Sequence, residues 1–298
     1  LGLVRRPAGR GAPRRGGCRD GGDVVNGAAG ADIRRLVFWQ PIASPHQRDF
    51  LECVAARHPG EVILAPERPL PPERVAQGWP PVVHDRVRVV DAASAEGFAS
   101  LVAHDRPDTL HLFSGFFSHR IVWRAFRRLS PSAARLAIVS EAPELGPVLG
   151  PLKVARGRLL VRRHGDRFCL ALAMGGVGRR FFAAVGFPAD RVQSFGYHLA
   201  VPPLAPSRAR PPGGLRLLAA GQAIRRKGFD LLLDALVRLG PGGWECDLYG
   251  DGPLRTSLEA RAARNPATRA VRFHDTLPNA RLLAEVAGAD WTVVPSRH

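Results

Sequence analysis

Lysine is almost missing from this sequence: of 43 basic residues only Lys153 and Lys227 are lysines, and the rest are arginine. Against 26 acidic residues this leaves a formal charge of +17, which taken alone points to a polyanion, an anionic membrane surface or a phosphorylated substrate. An arginine excess beside abundant Ala, Gly and Pro also follows from codon bias in a GC-rich genome, so charge does not select among these partners. Aromatic residues are scarce at 7%, and no nucleic-acid-binding module is recognisable, which argues against a nucleic-acid-binding protein. The four cysteines, Cys18, Cys53, Cys169 and Cys246, are scattered without a C-x-x-C pair, and the histidines show no H-E-x-x-H spacing. A bound metal or other cofactor is therefore not expected. No apolar run approaches the roughly 18 to 20 residues that span a bilayer, and the amino terminus lacks the apolar core of a signal peptide. A reduced, cytoplasmic location is expected, with any membrane contact peripheral.

What is present is alternation. Residues 1–31 are rich in Gly, Arg and Ala without hydrophobic periodicity, and read as disordered or as translation from upstream of the true start. Short apolar runs then alternate with amphipathic stretches. Strands are expected at Leu36–Trp39, Glu61–Leu64, Arg86–Val90, Thr109–Phe113, Arg135–Val139 and Phe168–Ala173, and helices at Gln47–Arg57, Ala95–Ala103, His119–Leu129 and Val177–Val185. Residues 199–214, dense in proline and glycine, read as a hinge. Beyond it a second unit is expected, with strands Leu215–Ala220, Glu245–Tyr249, Val271–Phe273 and Trp291–Val294. Helices Phe229–Leu239, Pro253–Arg264 and Ala280–Ala287 separate them. The fold class is α/β, two Rossmann-like domains over residues 32–198 and 215–298. The latter is expected to be incomplete, because the sequence stops soon after a buried strand.

The strongest local pattern is Gly221-Gln222-Ala223-Ile224-Arg225-Arg226-Lys227-Gly228, lying between a buried strand and an apolar helix. A loop there opens onto the crevice where ligands bind in open α/β sheets. Its consecutive cations near a helix start suit a diphosphate. The plainer reading is a solvated basic loop. The next such loop, Gly250-Asp251-Gly252-Pro253, permits close backbone approach to a ligand, with Asp251 a candidate helix cap, or is a simple turn.

These segments, followed by Val271 to Asn279 and Ala289 to Ser296, resemble in order and spacing the retaining glycosyltransferases of GT-B architecture, the group that includes bacterial exopolysaccharide and lipopolysaccharide sugar transferases. The resemblance implies a nucleotide-sugar donor, a glycan or lipid-linked acceptor, and retention of anomeric configuration. It gives Lys227, with Arg226 beside it, the donor diphosphate and the leaving group. Gly221, Gln222, Gly250, Asp251, Gly252, His274, Leu277 and Ser296 become donor-binding positions, His274 to Leu277 holding the base. Members often carry Arg where this chain has Gln222. The acidic E-x7-E pair that follows P-S-x-x in the family would lie past His298, so a polypeptide ending there is expected to turn over poorly, at the limit a nucleotide-binding remnant. On the acceptor side His46, His119 and Glu141, with His111, Ser114 and Gly115 near the same strand ends, are expected at the inter-domain cleft. Their plainer readings are helix-start residues and an arginine-paired carboxylate.

Overall fold

The computed structural model describes residues 2–5, 33–76, 79, 81–115, 119–143, 145–146, 149–196, 198 and 214–297, with backbone only for 2–5. The chain divides into two compact units, one of Asp23–Pro72 with Pro80–Val201, the other of Leu1–Gly22, Glu73–Trp79 and Pro202–His298. Its first described element is β1 (Gly2–Arg5). Then follow β2 (Arg35–Ile42), α1 (Pro45–Arg57), β3 (Glu61–Arg68), α2 (Pro72–Ala76), β4 (Arg88–Val89), α3 (Ala95–Val102), β5 (Thr109–Ser114), α4 (Arg120–Leu129), β6 (Arg135–Ser140), α5 (Leu149–His164), β7 (Phe168–Met174), α6 (Gly175–Ala184) and β8 (Val192–Phe195).

Strands β2 to β8 form one parallel sheet in the order β4-β3-β2-β5-β6-β7-β8. Successive side chains of a strand point to opposite faces, and here both faces are apolar. Val37, Trp39, Ile63, Ala65, Phe113, Leu136 and Ile138 enter one buried cluster, while Phe38, Val62, Leu64, Leu112, Ala137 and Val139 enter the other. Such two-sided burial is what makes the strands continuous apolar runs and the sheet parallel. The strand expected at Arg86–Val90 shrinks to β4 because the backbone N–H groups of Asp85 and Arg86 donate to the Glu52 carboxylate of α1 instead of to a neighbouring strand.

Helix α5 is not apparent in the sequence, where Gly150, Pro151 and Gly157 resemble breakers. The glycines serve packing instead. A Cβ on Gly157 would lie 2.5 Å from Val185 Cγ1, so only glycine lets α5 approach α6 this closely. Strand β8 and helix α2 are likewise absent from the sequence-based expectation.

In the second unit β9 (Leu215–Ala220), α7 (Phe229–Leu239), β10 (Trp244–Tyr249), α8 (Arg255–Ala263), β11 (Val271–His274), α9 (Asn279–Gly288) and β12 (Trp291–Val294) build a sheet in the order β1-β12-β9-β10-β11. Strands β9 to β12 are parallel. Residues 2–5 correct the structureless reading of the leader for that stretch. They pair antiparallel with β12 from Gly2↔Val294 to Arg5↔Trp291, the β-prone Leu3-Val4 meeting an edge that would otherwise expose its backbone. Residues 6–31 of the leader and 199–213 of the hinge lie outside the described residues. No described helix is long and apolar enough to cross a membrane.

Charge is buried in this unit. Arg216 and Asp247, fully buried on adjacent strands, pair at 3.0 Å, and Arg216 also donates to Glu285 of α9 at 2.5 Å. His274 meets the other Asp247 oxygen at 2.7 Å. Burial pushes the Asp247 pKa up, but the bonds from His274 and Arg216 outweigh it and hold the carboxyl below its ordinary value. Removing one partner of such a buried pair leaves an uncompensated charge, which is strongly destabilising.

His111 is a core residue. It is fully buried, accepts from Trp39 Nε1 at Nδ1 over 3.1 Å and reaches the His104 carbonyl through Nε2 at 2.8 Å, which defines the neutral Nε2–H tautomer. Burial pushes its pKa down to about 4. The unfolded chain therefore takes up a proton here before the folded one, and the stability that His111 contributes above pH 6.5 is lost progressively as pH falls toward 4. In urea unfolding, moving from pH 7 to pH 5 is expected to cost the wild type about 2 kcal/mol more than H111Q. Equal losses in the two proteins would show that His111 titrates normally.

Candidate functional site

In the second unit β9 is flanked by β10 on one side and β12 on the other. The chain thus leaves β9 in both directions, and the carboxyl ends of β9 and β12 bound a topological switch point, where ligands of open α/β sheets bind. The loops that follow β9, β10 and β12 are locked together there by backbone contacts. Gly221 N donates to Tyr249 O at 3.0 Å, Ala223 N to Asp251 O at 2.8 Å and Leu254 N to Ala223 O at 2.9 Å. A Cβ on Gly250 would stand 2.0 Å from Gly221 O, and one on Gly252 would stand 2.9 Å from Ala223 N. Both glycines also have positive φ, 131° and 149°, values that a side chain rarely permits.

Arg225, Arg226 and Lys227 form a 3-10 turn closed by Gly228 at φ 69°, after which α7 begins. A Cβ on Gly228 would lie 2.1 Å from Pro295 O, so the turn sits directly against the segment after β12. Arg297 seals that contact. Its backbone N–H donates to Arg226 O at 2.8 Å, and its guanidinium reaches Arg225 O at 2.8 Å and both oxygens of Asp230. Ser296 is half-buried between Pro295 and Arg297. The half-buried Lys227 lays its aliphatic stem over Gly221, where an added methyl would meet Cε at 3.4 Å. Burial, then the neighbouring Arg226, holds the Lys227 ammonium below the usual lysine pKa. An anion placed here relieves both effects, which is the electrostatic condition for a phosphate site.

Gly221, Gln222, Arg226, Lys227, Gly250, Asp251, Gly252 and Ser296 thus come together at one end of the sheet. Two expectations change. Helix α8 starts at Arg255 with Leu254 as its cap residue, so Pro253 is not in its first turn and Asp251 does not cap it. The reason is the loop lock, which engages Asp251 O and Leu254 N with Ala223 before the helix can begin. His274 ends β11, and its carbonyl accepts from Gly250 N at 3.1 Å and Arg255 Nη1 at 2.7 Å. Its ring stacks on Tyr249 at 4.5 Å, inclined by 16°. Leu277 packs in the apolar cluster with Leu218, Tyr249 and Ala289. Sequence reasoning misses Arg255, which donates to both Gly250 O and His274 O at 2.7 Å, and Arg297. It also misses the Arg216–Asp247 pair, which isolated charges inside otherwise apolar strands would have signalled.

The first unit has its own switch point, where β2 is flanked by β3 and β5. A cavity of about 540 Å3 lies over the carboxyl ends of its strands, lined by Pro41, Ser114, Gly115, Ser140, Glu141 and Met174, with His119 just before α4 and Lys153, Arg156 and Gly157 of α5. Here His119 caps α4 through its carbonyl, which accepts from Trp123 N at 3.1 Å. The structure therefore brings His119 and Glu141 to one cavity together with Ser114 and Gly115. His46, exposed in the first turn of α1, is not among its lining residues, where Gln47 stands instead. His111 is excluded by its burial in the core. Lys153 and Arg156 escape the sequence pattern because their helix does.

The loop lock leaves no room at position 250. Gly250→Ala is expected to destabilise the second unit by at least about 2 kcal/mol, read as a lowered thermal midpoint. An unchanged midpoint would mean that the Gly221–Gly250 contact is not made.

No family model matches the chain, and no curated protein matches it in sequence. Its fold does match solved structures. Anabaena HepE, crystallised in complex with UDP, superposes with a TM-score of 0.58 at 13% identity, covering 89% of this chain and 74% of that one. The lipopolysaccharide outer core galactosyltransferase WaaB in its apo form gives 0.53 at 12% identity, covering 84% and 70%. OtsA, also apo, gives 0.52 at 11% identity, covering 85% and 76%. The chain shares with these proteins the GT-B glycosyltransferase fold of two Rossmann-like units.

Proposed function

We propose that this chain is a sugar transferase that takes a nucleotide-sugar donor at the switch point of its second unit and a glycan or lipid-linked acceptor at the cavity of its first, with retention of anomeric configuration and in the cytoplasm. The observation that carries the reading is the seating of Lys227. The only lysine of the second unit lies over a glycine at the carboxyl end of β9, is partly desolvated, and has Arg226 beside it in a turn pinned by Arg297. Departure of a nucleoside diphosphate concentrates negative charge on phosphate oxygens. Fixed cations at that point stabilise the transition state more than the ground state. Gly250 and Gly252 let the loops after β9 and β10 close on each other, and Gly221 lets the Lys227 stem lie against the backbone, which is how the cations are held in place. In support, the structure of HepE, a protein of the same fold, holds UDP.

On the acceptor side, His119 and Glu141 are the groups proposed to meet the acceptor hydroxyl, with Lys153 and Arg156 offering charge to an anionic acceptor. His46 stays a candidate contact from the first turn of α1. No metal enters this scheme, because the cations that face the leaving group are supplied by the chain itself.

Calorimetric titration with UDP checks the donor site. Lys227→Ala is expected to weaken binding at least about tenfold with the thermal midpoint unchanged, because the side chain lies half-buried over glycine and supports no core packing. Binding that survives the substitution undiminished would remove Lys227 from the site.

A further inference from the structure

Helix α5 turns opposite faces to two environments. Its core face is Gly150, Val154, Gly157 and Val161, packed on the first unit. Its outer face carries Leu149, Leu152 and Leu159, which are 58%, 67% and 65% exposed. With Arg156 and Arg163 these leucines recur at alternating steps of three and four residues, so all five lie along one stripe of the helix. Lys153 and Arg162 flank the stripe, and α5 contains no acidic residue at all. Leu145, just before the helix, is a further exposed leucine, 44% accessible.

Three large aliphatic side chains held in water on one helix face are a cost that folding does not require, and such patches mark interaction surfaces. The arginines within the stripe decide what kind. Pairing two copies of the stripe would set Arg156 and Arg163 against their own kind with no acid on the helix to answer them. A nucleic acid would answer the arginines and leave the leucines wet. An anionic bilayer satisfies both: leucines enter the acyl boundary while the long arginine and lysine stems reach back to lipid phosphates. The +17 charge of the chain favours the same partner over a neutral surface.

We propose that the outer face of α5 is the docking surface of this protein for an anionic lipid bilayer. The surface rests on no part of the transferase reading. One consequence does: Lys153, Arg156 and Gly157 of the same helix line the cavity of the first unit, so docking places that cavity at the membrane surface and selects a lipid-borne acceptor over a soluble glycan.

The test is co-sedimentation of the full chain with vesicles, at low and moderate salt. Vesicles of phosphatidylcholine mixed equally with phosphatidylglycerol are expected to carry the protein down, and phosphatidylcholine alone is not. The triple variant L149Q/L152Q/L159Q, altered only at exposed positions, is expected to lose at least about tenfold in partitioning. The double variant R162Q/R163Q is expected to bind less and with a shallower salt dependence. Wild type that stays in the supernatant, or a triple variant that sediments as well as wild type, overturns the proposal. So does a wild-type dimer in solution that the triple variant converts to monomer, which would assign the stripe to a second copy. UDP titration of the same variants separates the two readings. Vesicle binding without UDP binding sinks the transferase and leaves the docking surface standing, and UDP binding without vesicle binding does the reverse.

Discussion

Gly250 has no side chain because the carbonyl oxygen of Gly221 occupies the place where one would be, 2.0 Å from an added Cβ. This contact, with the Ala223–Asp251 and Leu254–Ala223 hydrogen bonds, ties the loops after β9 and β10 into one backbone unit. The cation turn inherits its position from it. Lys227 rests on Gly221, Gly228 abuts Pro295, and Arg297 clasps the turn from the far side. Even the start of α8 is set by the lock rather than by helix propensity, since Leu254 is engaged with the neighbouring loop before the helix opens. A loop held by main-chain contacts keeps its geometry whatever side chains surround it, which suits a site that must offer fixed charge to a ligand.

The two kinds of charge in the second unit have opposite tasks. Arg216 pairs with Asp247 and with Glu285 of α9, and His274 bonds the second Asp247 oxygen, so the buried carboxylate meets a partner at each oxygen. Arg226 and Lys227, at the sheet end, face each other as like charges, and Lys227 is partly desolvated as well. In the first arrangement opposite charges meet within the protein. The second leaves like charges side by side, the condition that an anion in the proposed donor site would relieve.

The first unit repeats the same geometric logic with different chemistry. Its strand order also reverses at β2, and its cavity lies at the carboxyl ends of the strands beside that reversal. What differs is the lining: histidine, carboxylate, serine and the cations of α5 in place of a glycine lock. Helix α5 joins this cavity to the exposed leucine stripe, and it can do so because Gly157 lets it lie close to Val185 on the core side while its outer side stays open.

Element identity was legible in the sequence wherever burial on both sheet faces forced an unbroken apolar run, as in Val37–Trp39, Leu136–Val139 and Leu217–Ala220, because a short apolar run bounded by turn residues suits a strand buried on both sides. The Gly221–Lys227 loop was legible for the same reason, being bounded by two such elements. Helix α5 was not, since glycines at its packed face and leucines at its exposed face invert the amphipathic pattern by which a helix is recognised. His111 resembled a cleft residue because it sits in a strand; only the packing of Trp39 and the His104 carbonyl around it made it core. By itself the sequence determined most of the strands and helices and the loop that carries the cations, since these depend on local periodicity, but not β1, α2, α5 or β8. Which loops touch, which charges neutralise one another and which residues share a cavity was decided by the tertiary structure alone, because those contacts join positions far apart in the chain and leave no local periodicity to read.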